Sequence, residues 1–405
     1  MQHKNIDYTL FFAVICLIIF GMIMISSVSV YGSFRVTDIM AKAGRIEEAY
    51  NYFYVLRNIA HIFISLIVLA VVAKIHYSFF EKCAKYIFGI ILCMLGFVLI
   101  VGITLGGAKG WIDIPGLPFT IQPTEFLKLG LIIYLAAFFK KFKNYIPSLS
   151  DGFIPYLIII GICVLLVGLQ PDFGTIMVIL PLSAFIYFYA GANIKHLIIT
   201  ALLGSFLVGS VYSLGEYDKT TGQNLNNLGY ITQRIDNFLA DNKEAIKNKT
   251  INYQTEQALI AIGSGGFTGL GFGKSIQKFG YLPEVQGDFI FSVIVEELGF
   301  IGGLGLLCIY LFIGYRGWYI ANHVNDLFAK YSALGISCWI LLQACINIGV
   351  NLNIVPLTGI TLPFVSYGGS SLLALCIGLG ILLNISRYVE VKNSFSRKQR
   401  KVFMF

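Results

Sequence analysis

The chain of 405 residues is 57% hydrophobic and only 12% charged, and its mean hydropathy is +0.77. Soluble globular domains carry about twice that fraction of charged residues, and disordered chains are poor in apolar residues, so both classes are excluded. Outer-membrane β-barrels are excluded because their strands alternate polar and apolar residues, whereas this chain has long continuous apolar runs. The composition predicts an all-α polytopic membrane protein.

Apolar stretches recur along the chain and predict about ten transmembrane helices, an even number that places both termini on one side of the membrane. Residues 9–30 lack the short apolar core and small-residue cleavage site of a signal peptide, so they are predicted to remain as the first span. The predicted spans cover residues 9–30, 58–75, 86–105, 126–140, 153–169, 174–191, 195–214, 289–314, 329–350 and 364–386.

The positive residues predict the orientation of these spans. The net charge of +8 is concentrated in the C-terminal tail, residues 388–405, and in the short loops on the same side. By the positive-inside rule, both termini are therefore predicted to be cytoplasmic, and the tail to contact lipid headgroups rather than nucleic acid. The loop residues concerned are Lys82, Lys85, Lys140, Lys141, Lys143 and Lys195.

Residues 215–288 form a long polar connection between the seventh and eighth spans, on the extracytoplasmic side. A structureless loop of that length is uncommon, so the segment is expected to be functional or internally folded. Residues 251–262 have helical spacing and end at Gly263, which predicts a helix on the outer membrane surface. The glycines between residues 263 and 273 predict a tight backbone path that approaches a neighbouring segment closely.

The remaining motifs argue against several kinds of chemistry. The eight cysteines fall in predicted spans or on the cytoplasmic side, so no extracytoplasmic disulfide is expected. CxxC and HExxH do not occur, which argues against a structural zinc site or a zinc protease. Of the five histidines, only His61 approaches the outer face, so a histidine-based triad is not expected there. No dedicated metal site is predicted.

Three carboxylates differ from ordinary solvated loop charges. Asp288 is the last polar residue before the eighth span, where partial desolvation suits a general base; the alternative is a helix N-cap. Glu296 and Glu297 lie about 12 Å deeper, where ionisable groups line a cavity or pair with a partner such as Lys128. Because adjacent helical residues point about 100° apart, one glutamate is expected to face the site and the other a neighbouring helix.

The ninth span carries a polar stripe. Gln343, Asn347 and Asn351 recur every four residues and therefore share one helix face. Interhelical hydrogen bonding is the favoured interpretation, since amide side chains within membranes serve most often to join helices.

Several longer motifs occur in a fixed order, and their combination is specific. The motifs are GAKGWI at 107–112, QPTEFLKL at 122–129, QPDFGT at 170–175, LPEVQGDFIF at 282–291, EELG at 296–299 and TGITLPFVSYGGSS at 358–371. With these motifs the chain resembles the SEDS family of shape, elongation, division and sporulation proteins, which includes FtsW and RodA, and it resembles FtsW somewhat more. Gln286-Gly287 departs from the pattern, since family members often have His-Thr before the aspartate.

The resemblance implies a single transmembrane domain over residues 1–405 and a peptidoglycan glycosyltransferase that polymerises lipid II with release of undecaprenyl pyrophosphate. It assigns the general base to Asp288. A good leaving group needs cations to stabilise its charge, and the motifs favour Lys109 and Lys128 for that role. The full set of residues expected to bind substrate is Lys109, Glu125, Lys128, Arg234, Lys278, Glu296, Glu297, Ser366 and Tyr367.

The resemblance also implies partners and a location. The expected partners are lipid II, the growing glycan strand, a class B penicillin-binding protein and other proteins of a division or elongation complex. The expected location is the bacterial cytoplasmic membrane, with the active site on its outer face. No cofactor is required by the motifs, although a divalent cation such as magnesium or manganese could bridge the pyrophosphate. Two alternatives stay open: a lipid II flippase, favoured by the membrane-depth carboxylates, and a non-catalytic scaffold of a division complex.

Overall fold

A computed structural model describes residues 6–105, 108–113, 120–221 and 253–389, together with Thr232, Asp236 and Phe238. The prediction at Arg234 and most of the predicted basic tail lie outside the described residues. The described part consists of helices and one two-stranded sheet. This arrangement confirms the all-α class.

Among the described residues before the long connection, the elements are eight α-helices and one hairpin, with a short 3-10 helix (Lys143–Tyr145) and a short π-helix (Leu149–Phe153) between the fifth and sixth α-helices. Strands β1 and β2 pair antiparallel, with Thr104 opposite Lys109. The elements are α1 (Tyr8–Val28), α2 (Val30–Lys42), α3 (Phe53–Val72), α4 (Tyr77–Val101), β1 (Ile103–Leu105), β2 (Ala108–Trp111), α5 (Pro123–Lys141), α6 (Ile154–Gly168), α7 (Phe173–Tyr189) and α8 (Ile194–Thr221).

The remaining helices are α9 (Tyr253–Gly265), α10 (Ile290–His323), α11 (Leu327–Asn351) and α12 (Gly369–Ser386). Within the described residues, eight helices are long and apolar enough to cross a membrane: α1, α3, α4, α6 with its preceding turn, α8, α10, α11 and α12. The other two predicted spans coincide with α5, which carries charged residues at both ends, and with the 17-residue α7. Each of the ten predicted spans therefore corresponds to a helix.

Some predicted boundaries are wrong. The span at 86–105 is the helix Tyr77–Val101, because the chain leaves the helix at Gly102 and continues into the hairpin. The last span begins at Gly369 rather than at 364. Helix α2 was not predicted, because polar and charged residues are mixed with apolar ones along it and no long apolar run marks its position.

The core lies around the C-terminal helices. In their most apolar stretches, 89% of residues are buried in α12 and 72% in α11, against 6% in α8. Helix α11 packs against α10, α5 and α7. The motif residues carried by α5, α10 and α11 therefore meet in the centre of the protein, while α8 lies at its periphery.

Helix α10 is broken near its start at Gly299, whose φ of 69° and ψ of −171° are not helical. The segment 266–271 lies against the break, and its backbone forms hydrogen bonds with the N–H and carbonyl groups of α10 that the break leaves without helical partners. Buried backbone groups at membrane depth require such partners. The bonds run from the N–H groups of Leu270 and Gly271 to the carbonyls of Glu296 and Glu297, and from the N–H groups of Phe300 and Ile301 to the carbonyls of Gly266 and Phe267.

The predicted close backbone approach is confirmed at two glycines. A Cβ atom at Gly265 would collide with the Val295 carbonyl oxygen, and one at Gly269 would collide with that of Glu297. The helix predicted over residues 251–262 is also present, but it runs from Tyr253 to Gly265. The C-cap assigned to Gly263 is wrong, because the left-handed residue that ends the helix is Gly266, with φ of 55°.

Candidate functional site

Asp288 lies two residues before α10, whose N-cap is Phe289. The alternative interpretation of Asp288 as the N-cap is therefore wrong. The loop that connects α11 to α12 passes beside the carboxylate: a Cβ atom built on Gly359 would lie 3.5 Å from Asp288 Oδ2. The two most distinctive motifs of the sequence thus meet at this aspartate.

Ser366 and Tyr367 contact the backbone that leads to Asp288. The Ser366 hydroxyl donates to the Gly287 carbonyl at 2.7 Å and accepts the Leu362 N–H at 2.8 Å. The Tyr367 N–H donates to the Gln286 carbonyl at 2.8 Å. These contacts make both residues supports of the aspartate segment, a role that their motif alone did not reveal.

The side chain of Tyr367 belongs to an aromatic and basic cluster beside this segment. Its ring lies 5.1 Å from the ring of Tyr54 and 5.3 Å from that of His61, centroid to centroid. Arg57 stacks 4.5 Å from the Phe53 ring centroid, and its charge acts on the Tyr367 side chain. Sequence reasoning missed Arg57 as a cation beside Tyr367; its only signal was an arginine at the end of an apolar span.

Glu125 and Lys128 form a buried ion pair one turn apart on α5, with 2.7 Å between Lys128 Nζ and Glu125 Oε1. Lys128 is 1% exposed and also donates to Gln343 Oε1 at 3.1 Å. The predicted pairing of Lys128 with Glu296 or Glu297 is therefore wrong, because α5 offers a nearer carboxylate. Glu125 Oε2 is buried without a hydrogen-bond partner among the described residues.

The polar stripe of α11 confirms the prediction of interhelical hydrogen bonds. Gln343 accepts from Lys128 on α5 and donates to the Thr361 carbonyl at 3.1 Å. Asn347 and Asn351 donate to the Asp288 carbonyl at 2.8 Å and 2.9 Å. One face of α11 therefore touches both the Lys128 pair and the aspartate segment.

Glu297 is fully buried and holds the segment 273–278. Its carboxylate pairs with Lys278 Nζ at 2.8 Å, and accepts from the Gly273 N–H at 3.0 Å and from Ser27 on α1. Lys278 also donates to Ser27 Oγ and to the Gly273 carbonyl, so its three N–H groups are all engaged within the protein.

Glu296 binds the same segment. Its carboxylate accepts from the Ser275 hydroxyl at 2.5 Å and from the Ile276 N–H at 2.9 Å. The predicted division of roles between Glu296 and Glu297 is wrong, because the segment 273–278 folds over the end of the interrupted helix and reaches both carboxylates. The membrane-depth carboxylates that favoured a transporter thus serve to fasten a loop.

Lys109 lies on β2, and its ammonium donates to the Leu99 carbonyl at 2.9 Å. A cation there interacts favourably with the C-terminal end of α4. Among the described residues, no group of three His, Cys, Asp or Glu side chains could hold a metal ion.

Residues 8–391 match the family model described as a cell cycle protein, FtsW/RodA/SpoVE. The chain belongs to this family. Its relatives include the stage V sporulation protein E of Bacillus subtilis, 36% identical over 94% of this chain and 97% of the relative. The probable peptidoglycan glycosyltransferase FtsW of the same organism is 36% identical over 98% of this chain and 94% of the relative. The predicted SEDS membership is confirmed.

Solved structures support the same fold for this FtsW/RodA/SpoVE member. A subunit of a peptidoglycan synthase complex that coordinates polymerization and crosslinking is 24% identical, with a TM-score of 0.71 over 95% of this chain and 99% of that subunit. An aspartate-to-alanine variant of the rod shape determining protein RodA of Thermus thermophilus is 26% identical, with a TM-score of 0.66 over 96% of this chain and 99% of RodA. The chain is a multi-pass membrane protein of the RodA-like fold.

Proposed function

We propose that this protein is an inverting peptidoglycan glycosyltransferase that polymerises lipid II in cell division or elongation. Full-length similarity to probable peptidoglycan glycosyltransferases supports the activity. The observation that carries the assignment of the base is the anchoring of the Asp288 segment by Ser366, Tyr367 and the α11 stripe. A base must be held within reach of the proton that it removes.

In the proposed reaction, Asp288 accepts the proton of a GlcNAc 4-hydroxyl. The hydroxyl oxygen forms a bond to the anomeric carbon of a lipid-linked MurNAc from the face opposite the pyrophosphate. The bond from that carbon to the pyrophosphate breaks, and undecaprenyl pyrophosphate leaves with the electron pair. One displacement converts the α-linked donor into a β-linked product, so no enzyme nucleophile is needed.

Stabilisation of the leaving pyrophosphate is proposed to come from cations near the aspartate segment. Lys128 is connected to that segment through the α11 stripe, and Arg57 through Tyr367. Lys278 is assigned a structural role, because its ammonium is fully engaged by Glu297, Ser27 and Gly273. Lys109, which binds the end of α4, is a weaker candidate.

The distribution of Lys and Arg supports cytoplasmic termini and a site on the outer face of the membrane. That placement suits an amphiphilic substrate whose sugars lie outside and whose polyprenyl tail lies in the bilayer. A class B penicillin-binding protein is the proposed partner, because a related fold occurs in a complex that couples polymerization to crosslinking. Residues 31–57 and 215–288 are the proposed docking segments, and co-purification with such a protein tests this part.

The activity is tested with purified protein and labelled lipid II in detergent. Glycan polymer is expected from the parent protein, and about 100-fold less or lower still from Asp288→Asn at equal expression and melting temperature, because a general base contributes about that factor or more. Transport across a membrane cannot produce polymer in detergent, so this assay separates an enzyme from a flippase or a scaffold. Polymerisation by Asp288→Asn at the parental rate would defeat the assignment of the base.

A further inference from the structure

The carbonyl of Asp288 accepts two hydrogen bonds from one helix. Asn347 Nδ2 lies 2.8 Å from this oxygen and Asn351 Nδ2 lies 2.9 Å from it. Both asparagines are essentially inaccessible to solvent. The carbonyls of Gln286 and Gly287 accept hydrogen bonds from Tyr367 and Ser366. Three successive carbonyls, at 286–288, are therefore held by donors from α11 or from the loop that follows it.

The orientation of each amide is determined by its other contacts. Asn351 Oδ1 accepts the Ser292 N–H at 3.1 Å and the Ser292 hydroxyl at 2.6 Å, so its Nδ2 must face Asp288. Asn347 Nδ2 donates both to Asp288 and to the Ile360 carbonyl at 2.7 Å. Asn347 thereby fastens the aspartate segment to the loop that carries Gly359, which lies beside the Asp288 carboxylate.

The same helix face reaches the buried cation. Gln343, one turn before Asn347, accepts from Lys128 and donates to the Thr361 carbonyl. Gln343 on α11 therefore connects α5 to the loop 358–366. Asn347 on the same helix connects that loop to Asp288. A helix of this kind is stiff, because its backbone hydrogen bonds are internal and α11 is largely buried.

We infer that Asn347 and Asn351 are positioning residues for Asp288, and that the α11 stripe holds this carboxylate at a fixed distance from Lys128. This inference rests on the proposed function. Reacting groups must lie within about 3–3.5 Å of each other, and a displacement of about 1 Å can reduce a rate by about 100-fold. Because these hydrogen bonds hold the Asp288 backbone and do not contact the substrate, their loss is expected to lower kcat more than the affinity for substrate.

The test compares Asn347→Leu with Asn384→Leu, a matched control near the C-terminal end of α12. Asn384 is equally buried and also makes two hydrogen bonds that join helices, donating to the Ala73 carbonyl and accepting the Tyr77 N–H. Both variants lose buried hydrogen bonds, but only one lies beside Asp288. The measurements are the kcat and KM of glycan polymerisation, the affinity for fluorescent lipid II, and the melting temperature.

The expected result is a decrease of about 100-fold in the kcat of Asn347→Leu, with KM and lipid II affinity within about twofold of the parent. Asn384→Leu should keep its kcat within about twofold when assayed below its melting temperature. Ser292→Ala provides a milder variant if Asn347→Leu does not fold: it loses the hydroxyl that orients Asn351 and is expected to reduce kcat by about tenfold, as a partial loss of positioning.

Parental kcat in the folded Asn347 or Ser292 variant would overturn the inference. So would an equal loss in Asn384→Leu, or a loss of lipid II affinity that accounts for the lost rate. A failure of the proposed function looks different: the parent protein itself would produce no polymer, or Asp288→Asn would polymerise at the parental rate.

Discussion

The Lys278 ammonium lies 2.8 Å from the Glu297 carboxylate. Only 5% of the Lys278 side chain and none of the Glu297 side chain is exposed to solvent. The pair joins the segment before Asp288 to the interior of α10, and Ser27 connects both to α1. A charge so deeply buried is tolerated only while its partner is present. This pair is therefore one of the contacts that hold the segment 273–278 against α10, beside the hydrogen bonds to Glu296.

Lys278→Met is expected to destabilise the protein by about 3–5 kcal/mol, because it leaves the Glu297 carboxylate buried without its cation. Lys42→Met is the control, since the Lys42–Asp38 pair is solvent-exposed and contributes little. Thermal unfolding in detergent measures both. Adding Glu297→Leu to Lys278→Met should recover part of the loss; a double variant less stable than Lys278→Met would contradict the account.

Two glycines of the same region should respond oppositely to alanine. Gly269 has φ of 80° and its Cβ would collide with the Glu297 backbone, so Gly269→Ala should lose at least about 2 kcal/mol of stability. Gly263 lies within α9, with nothing within 4 Å of a new Cβ, so Gly263→Ala should gain about 0.4–1 kcal/mol. Similar melting temperatures for the two variants would disprove the proposed close approach.

Long apolar runs were sufficient to predict the ten helices, and the four-residue spacing of polar side chains was sufficient to predict the hydrogen-bonding stripe of α11, because both are local features of the sequence. It could not predict the partner of Glu297. Lys278 reaches that carboxylate only because α10 breaks at Gly299 and the intervening chain folds back, which no helical spacing encodes. Lys128 was assigned to the wrong carboxylates for a related reason: its partner, Glu125, lies within its own motif.

The site was predictable as a set of motifs but not as a set of contacts. The sequence proposed Asp288 as the base from its place at the predicted membrane edge and its motif, and that role stays a prediction. Ser366 and Tyr367 support the 286–287 backbone from a loop that lies about 80 residues further along the chain. Sequence patterns carry no information about distances between residues so far apart in the chain. Arg57 was missed because a single arginine at the end of a span normally marks only orientation.

The opposite end of the bundle offers a prediction of pH dependence. Asp7 precedes α1 and is partly buried, and this burial raises the pKa of its carboxyl group. Hydrogen bonds from Thr9 and the Leu10 N–H and the charge of Arg316 act in the opposite direction and outweigh the burial, so the pKa lies below its ordinary value of 3.8. A lowered pKa means that the ionised form stabilises the folded state. The stabilisation from ionised Asp7 is fully present at a pH above the pKa that Asp7 has in the unfolded chain. It disappears as the pH falls through the pKa that Asp7 has in the folded protein.

Asp7→Asn should therefore be less stable than the parent by a constant amount between about pH 6 and 8, and the difference should shrink as the pH falls below about 4. Melting temperatures of the two proteins across this range provide the measurement. Asp38→Asn, at an exposed pair, is the control and should show little difference at any pH. A stability difference between Asp7→Asn and the parent that grows towards low pH would reverse the predicted sign.

Lys128 combines a structural contact with a proposed catalytic one, and a double variant separates them. Lys128→Met leaves Glu125 buried without its cation and should lose about 3–5 kcal/mol of stability together with polymerisation. Adding Glu125→Leu removes the unpaired charge and should restore much of the stability. If the Lys128 cation also stabilises the departing pyrophosphate, the double variant should still polymerise about 100-fold more slowly than the parent, because the loss of one stabilising donor has an effect of that order.

Lys140→Met is the matched control for this experiment, since Lys140 lies at the other end of α5 and bridges Glu81 and Asp326. It should lower the melting temperature and leave the polymerisation rate near the parental value in assays at a temperature where it is folded. Rates and melting temperatures of the three variants decide the question. If the Lys128/Glu125 double variant polymerised lipid II at the parental rate, Lys128 would have only its structural role, and the cation for the leaving group would have to be sought at Arg57 or Lys109.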